Sequence, residues 1–161
     1  MLASRLGVPR VTAIESDVSW TMALRHRLRE QGSGEGVVDL RHVDVGPTGD
    51  WGVPVDDSGW RRYAAYAMDP WDRFDPGDVP DLVLIDGRFR VACLMATVLH
   101  TKPGTTILFD DYYDRPYYQV TEPMLTPVDR HDRMAEFVVA DVAPLRDELW
   151  RLFVEHVTDV R

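Results

Sequence analysis

The chain has 161 residues, of which 45% are hydrophobic and 28% charged, a composition typical of one soluble globular domain spanning residues 1–161. Its net charge of −9 disfavours nucleic acid and anionic membranes as partners, because both carry negative charge. The single cysteine, Cys93, excludes an internal disulfide, and no apolar run reaches the length of a membrane span, so we expect a cytoplasmic protein.

The chain begins with signals for a helix end and then a strand. Residues 1–6 are predicted to end a helix, because Gly7 favours termination and Pro9 prevents continuation. A short apolar stretch over 11–14 follows and predicts a strand, which ends in Glu15.

A helix and a further strand are predicted next. Ser16 or Asp17 is expected to cap a helix over 18–31. Loose alternation over 37–45 predicts a strand that contains Asp44 near its end. Helical periodicity assigns three apolar residues to the inner face of the helix: Trp20, Leu24 and Leu28.

Two polar loops flank the next predicted helix. Residues 46–59 include four glycines and two prolines, and a loop of this length is more often functional or mobile than a plain connector. A helix is predicted over 60–68, and a second polar loop over 69–80.

The centre of the chain reads as a βαβ unit. Leu82–Ile85 is a continuous apolar run, the pattern of a strand buried on both faces of a parallel sheet. Residues 91–99 carry the apolar stripe of a helix packed on a sheet, and 105–109 form the next strand. This unit is the core of the predicted fold.

Acidic residues stand at the ends of four predicted strands: Glu15, Asp44, Asp86 and the pair Asp110 and Asp111. A single acid in such a place usually caps a helix or forms a turn. Several together favour a ligand site, because ligands bind at the carboxyl edge of open parallel sheets.

The last third continues the alternation of helices and strands. A helix is predicted over 116–125, a strand over 134–140, and a final helix with an apolar stripe of Leu145, Leu149, Leu152 and Phe153. The whole pattern predicts an α/β fold with a doubly wound, mostly parallel sheet. Four tyrosines after the fifth strand predict an aromatic patch or, alternatively, a substrate wall: Tyr112, Tyr113, Tyr117 and Tyr118.

Four stretches of the chain, within residues 2–140, resemble the class I S-adenosylmethionine-dependent methyltransferases. Val-Thr-Ala-Ile-Glu-Ser-Asp is similar to the second strand of that superfamily, and His-Val-Asp-Val-Gly to the third. Asp-Leu-Val-Leu-Ile-Asp-Gly resembles the fourth-strand motif, and Lys-Pro-Gly-Thr-Thr-Ile-Leu-Phe-Asp-Asp-Tyr the fifth. Each motif is weak alone, and their order and spacing make the resemblance specific.

The resemblance implies a Rossmann-like fold, S-adenosylmethionine as the cofactor and a small-molecule acceptor. It implies that Glu15 binds the ribose, that Asp44 lies by the adenine amine, and that Asp86 faces the methionine end or the substrate. Ser16 and Val45 belong to the same predicted cofactor site.

Asp86 and Asp111 are the candidate catalytic groups, because a nearby carboxylate can take the proton of an oxygen or nitrogen acceptor. With Asp110 they also offer oxygen ligands of the kind that Mg²⁺ or Ca²⁺ prefers. Adjacent side chains on a strand point to opposite faces, however, and Arg88 offers a charge partner. We therefore predict no metal here, and an ion pair between Arg88 and one of these acids.

One departure from the superfamily leaves other functions open. Its glycine-rich first motif is absent, and the strand of that motif would lie between the second and fourth strands of the sheet. Without that strand, its two neighbours would have unpaired backbone groups, which is energetically costly. We therefore expect this chain to be a truncated part of a longer protein that contains the first strand. The alternatives are an NAD(P)-dependent oxidoreductase and a non-catalytic Rossmann-like binding module.

Overall fold

The computed structural model describes residues 7–32, 37–75 and 77–161. The predicted helix end over 1–6 lies outside these residues. The chain divides into two compact units, Met1–Tyr66 and Ala67–Arg161, and each is described by itself.

The first unit contains a parallel pair of strands joined by a helix. Strand β1, Val11–Glu15, pairs with β2, Val38–His42, and Glu15 lies opposite His42. Helix α1, Val18–Glu30, connects them, and Asp17 caps it by accepting a hydrogen bond from the Trp20 amide at 2.8 Å. The predicted cap at Asp17 is confirmed.

The predicted inner face of α1 is only partly right. Leu28 is buried, but the Trp20 side chain is 53% exposed and Thr21 is buried instead. Thr21 can be buried because its hydroxyl donates to the Asp17 carbonyl at 2.8 Å, so no polar group is left unpaired. The buried face of α1 is therefore rotated from the face that the apolar residues alone predict.

Short helical elements follow β2, and the last of them runs from the first unit into the second. One 3₁₀ turn, Asp50–Gly52, lies within the predicted loop over 46–59. The helix predicted over 60–68 is a 3₁₀ turn, Trp60–Arg62, that continues as α2, Tyr63–Met68.

The second unit is built on a four-stranded sheet in the order β3-β4-β6-β5. Strands β3, Leu82–Ile85, and β4, Thr106–Phe109, are parallel and joined by helix α3, Arg90–His100. Strand β6, Met134–Val138, is antiparallel to β4. Helix α4, Arg146–His156, ends the unit.

Strand β5, Asp129–His131, forms an antiparallel hairpin with β6. This strand was not predicted, because three exposed polar residues carry no apolar pattern. The helix predicted over 116–125 is a 3₁₀ helix, Pro116–Thr121. The α/β class is confirmed, with two parallel and two antiparallel strand pairs among the described residues.

The prediction that Leu82–Ile85 is buried on both faces is wrong. Leu82 and Leu84 are each 59% exposed, whereas Ile85 is buried. Leu82 and Leu84 are two residues apart and share the exposed face of β3, which among the described residues pairs only with β4 and is an edge strand.

The core of the second unit lies around α3. Almost every α3 position from Val91 to Leu99 is buried, and it is accompanied by aromatic and aliphatic residues of the sheet and of α4: Ile107, Phe109, Phe137, Leu149 and Leu152. Burial of this apolar surface is the main stabilising contribution to such a unit. Within the described ranges, no helix has the length and apolar character needed to cross a membrane.

Candidate functional site

Glu15 stands at the carboxyl end of β1, where the backbone holds its side chain. Its Oε1 accepts hydrogen bonds from the amides of Ser16 at 2.7 Å and Asp17 at 2.9 Å. Its Oε2 has no hydrogen bond to any residue that the structure describes. The carboxylate is therefore oriented by its own chain and keeps one oxygen for a ligand.

The loop after β2 packs directly on this strand end. Ser16 is buried, and its hydroxyl donates to the Gly52 carbonyl at 3.1 Å. Gly52 has φ +70°, and a Cβ there would lie 2.8 Å from the Ser16 Oγ and 3.4 Å from the Glu15 Oε1. Glycine is favoured at this position, because a side chain would be strained by the positive φ and would displace the buried Ser16 hydroxyl.

Trp51, next to Gly52, was not singled out from the sequence and has two unusual features. Its side chain is 89% exposed, and its φ of 60° is unusual for a bulky residue. Backbone bonds tie the loop around it, including Gly49 N to Val53 O at 2.8 Å. Strain of this kind collects at ligand-binding positions. The available signal was one tryptophan between glycines in a loop predicted to be functional.

Asp44 lies beyond the end of β2 and already has partners for both oxygens. Oδ1 accepts from the Gly46 amide at 2.8 Å, and Oδ2 accepts from Arg62 Nη1 in an exposed ion pair. The adjacent Val45 is fully buried, and Gly59 packs on its carbonyl so closely that a Cβ would lie 2.0 Å away. Asp44 can take a ligand only at its remaining lone pairs.

In the second unit, Arg90 joins the acids at the ends of β3 and β4. Only 3% of its side chain is exposed. Nη1 donates to the Asp110 carbonyl at 2.6 Å and lies 3.3 Å from the Asp111 carboxylate. Nη2 lies 3.1 Å from the Asp86 carbonyl and 3.4 Å from its carboxylate, and Nε donates to the Gly87 carbonyl at 2.9 Å.

The predicted ion pair between Arg88 and these acids is wrong. Within the described part of the chain Arg88 has no ion pair, and its buried Nε has no hydrogen-bond partner. The chain turns at Phe89, whose φ is 54°, and α3 begins at Arg90. Arg90 therefore makes the contacts that the sequence assigned to Arg88.

Asp110 and Asp111 are bound by further arginines. Arg133 forms two hydrogen bonds with the Asp110 carboxylate, at 2.9 and 2.8 Å. Asp111, which has φ 59°, lies 2.9 Å from Arg115 and 3.3 Å from Arg133. With Arg90, three guanidinium groups surround the two carboxylates, which provides charge compensation without an ion.

The pKa values of Asp86 and Asp110 shift in opposite directions. Burial raises the pKa of Asp86, and the neighbouring Asp110 carboxyl raises it further. Burial acts to raise the pKa of Asp110 as well, but the hydrogen bonds from Arg133 and from the Asp111 amide outweigh it and lower that pKa. Such a pair divides its roles between a proton-binding and an ionised carboxylate.

The tyrosines after β4 are mainly core residues. Tyr112 and Tyr118 are buried against Phe109, with ring centroids at 5.3 and 4.8 Å. Burial raises the pKa of Tyr112 to about 12, so it remains protonated at neutral pH. Tyr117 is partly exposed. The aromatic-patch interpretation thus applies to the two buried tyrosines.

Cys93 behaves as a packing residue. Burial raises the pKa of its thiol to about 12, and the Sγ lies 3.4 Å from the Arg88 carbonyl. A thiol in this state is a poor nucleophile.

The predicted site residues divide between the two units. The first contains the predicted cofactor residues Glu15, Ser16, Asp44 and Val45, and the second contains Asp86 and Asp111. In the first unit Glu15 and Ser16 meet the loop that carries Gly52, and in the second Asp86 and Asp111 meet at Arg90.

Comparisons with known proteins agree with this fold. The chain is similar to the crystal structure of a methyltransferase-like protein from Silicibacter pomeroyi DSS-3, with 36% sequence identity and a TM-score of 0.77. The similarity covers 94% of this chain and 80% of that one. No family model and no curated protein matches the sequence.

Proposed function

The chain belongs to the family of that methyltransferase-like protein, and from this premise we propose that it binds S-adenosylmethionine and methylates a small-molecule acceptor. The observation that carries the proposal is the hydrogen bonding of the Glu15 carboxylate. A carboxylate fixed by two backbone amides, with one oxygen left over, is suited to the adjacent hydroxyls of a ribose.

The first unit supplies groups for the nucleoside part of the cofactor. Glu15 Oε2 accepts from the ribose, and Asp44 accepts from the adenine amine at a lone pair not used by Arg62. The exposed indole of Trp51, held in the tied loop over Ser16, offers a flat surface for the adenine ring.

The second unit supplies groups for proton transfer. When bound, S-adenosylmethionine would supply an electrophilic methyl group to an oxygen or nitrogen acceptor in line with the breaking C–S bond, and S-adenosylhomocysteine would leave. Asp86 is the stronger candidate for the base, because its pKa is raised above the ordinary aspartate value. Asp111 is the second candidate, and Arg90 holds both carboxylates in place.

The proposal is tested by calorimetric titration of the full chain with S-adenosylmethionine, and with NAD⁺ as the ligand of the rival oxidoreductase. We expect saturable binding of S-adenosylmethionine only. Glu15→Ala should weaken it at least tenfold, since charge-assisted hydrogen bonds contribute about 1.5–3 kcal/mol each.

Glu30→Ala is the matched control, because Glu30 is an exposed carboxylate at the opposite end of α1. Its affinity should equal that of the wild type. Absence of saturable binding, preference for NAD⁺, or an unchanged affinity in Glu15→Ala would each overturn the proposal.

A further inference from the structure

The β5–β6 hairpin carries a second cluster of metal-ligating side chains, apart from the acids around Arg90. Asp129, His131 and Glu136 each offer one ligand atom, and these atoms all lie within 4.8 Å of one another. The His131 Nε2 is 2.7 Å from the Glu136 carboxylate. The methyl-transfer proposal uses none of the three.

The strand register places the three side chains on one face of the hairpin. Asp129 lies directly opposite Glu136 in the antiparallel pair, and such partners share a face. His131 follows Asp129 by two residues, so it points to the same side. The cluster therefore follows from the pairing of regular strands and does not depend on a flexible loop.

The arginines of this hairpin are engaged elsewhere. The Arg130 guanidinium lies 4.3 Å from the centre of the Tyr113 ring, and its Nε donates to the Asp132 carbonyl. Arg133 is bound to Asp110. Asp129 Oδ1 accepts from the Arg130 amide at 2.7 Å, but within the described residues neither Asp129 nor Glu136 forms an ion pair with an arginine or lysine. Two carboxylates therefore lie beside one imidazole, and this excess of negative charge favours a cation.

We propose that Asp129, His131 and Glu136 bind a divalent first-row transition ion of the zinc type. One imidazole and two carboxylates form a mixed nitrogen and oxygen donor set, which suits Zn²⁺ better than Mg²⁺ or Ca²⁺. Three protein ligands leave the fourth position to water. Ligand atoms of a tetrahedral Zn²⁺ site lie roughly 3.4 Å apart, so small side-chain rotations from the observed spacing are enough.

The ion has a structural consequence on the same hairpin. It would fasten β5 to β6 beside the turn at Asp132 and Arg133, where Asp132 has φ 57°. Arg133 in turn holds Asp110. Binding of the ion should therefore raise the thermal stability of the protein, because it binds the folded hairpin and not the unfolded chain.

The test is a calorimetric titration of the full chain with Zn²⁺ after treatment with a chelator. We expect one saturable site and a rise in the melting temperature. In a histidine NMR spectrum, the His131 ring should shift first among the five histidines. His131→Gln should weaken binding at least tenfold, as loss of a metal ligand does.

His26→Gln is the matched control, because His26 forms an exposed pair with Glu30 at 3.3 Å. It should bind Zn²⁺ as the wild type does. If His131→Gln lowers the melting temperature of the protein, Asp129→Asn tests the site instead, because Asp129 is exposed. The proposal would be overturned by the absence of a saturable Zn²⁺ site, or by wild-type affinity in both His131→Gln and Asp129→Asn. A loss of affinity in His26→Gln as large as that in His131→Gln would also overturn it.

Discussion

The acid at the end of β1 and the acids at the ends of β3 and β4 are held in different ways. Glu15 is fixed by two backbone amides. Asp110 and Asp111 are bound by Arg90, Arg115 and Arg133. Acids at strand ends are therefore not equivalent: Glu15 is held by amides at one oxygen, whereas Asp110 and Asp111 are compensated by arginine side chains.

The largest effect is expected at Arg90. Arg90→Met should lower the free energy of unfolding by about 3–5 kcal/mol, because it leaves three backbone carbonyls without their donor and removes one ion-pair partner of Asp111. Urea denaturation followed by circular dichroism measures this loss.

Arg88→Met is the matched control two residues away. Arg88 has no ion pair among the described residues, so the change should lower the free energy of unfolding by less than about 1 kcal/mol. Similar losses in the two variants would show that Arg90 is not the central partner of the acids.

A smaller, pH-dependent effect is expected at Asp110. Asp110→Asn should reduce the free energy of unfolding at neutral pH by about 1–3 kcal/mol, because it weakens the two hydrogen bonds to Arg133. The pKa of Asp110 is lowered in the folded state, so its contribution is complete above the unfolded value of 3.8 and is lost as pH falls through the lowered pKa.

The stability difference between the wild type and Asp110→Asn should therefore be full at neutral pH and shrink as the pH falls through the lowered pKa of Asp110. Unfolding midpoints across this range measure it. A difference that does not change with pH would rule out the ionised Asp110 carboxylate as its source.

Asp86→Asn should change the free energy of unfolding in the opposite direction to Asp110→Asn. The pKa of Asp86 is raised, so its ionisation disfavours the folded state as pH rises above the ordinary aspartate value. A neutral amide removes this cost. Because the Asp86 side chain is mostly exposed, we expect a gain of about 0.5 kcal/mol or less at neutral pH. A loss as large as that of Asp110→Asn would contradict the assignment.

The elements with a strong apolar pattern were predictable from the sequence. The strand that ends at Glu15, the strand that precedes Asp86, and helix α3 each begin and end within two residues of their predicted bounds. Strand β5 was not predictable, because its three residues are polar and exposed and its pairing partner alone defines it.

The partners of the acids were the least predictable part of the site. Spacing from Asp86 favoured Arg88, but the left-handed turn at Phe89 makes Arg90 the donor, and a non-glycine residue gives no sequence signal for such a turn. Arg133 contacts Asp110 because β6 pairs with β4, which is a tertiary relation. Likewise, the burial of Thr21 in place of Trp20 depends on a hydrogen bond within α1.

The central claim, that Glu15 reads the nucleoside while Asp86 serves the reacting end, is tested most directly by comparing two ligands. S-adenosylmethionine and 5′-methylthioadenosine share the nucleoside, and only the first carries the amino acid. Calorimetric titration of Glu15→Ala should show at least tenfold weaker binding of both, whereas Asp86→Asn should bind 5′-methylthioadenosine as the wild type does. Unchanged binding of 5′-methylthioadenosine by Glu15→Ala would contradict the account.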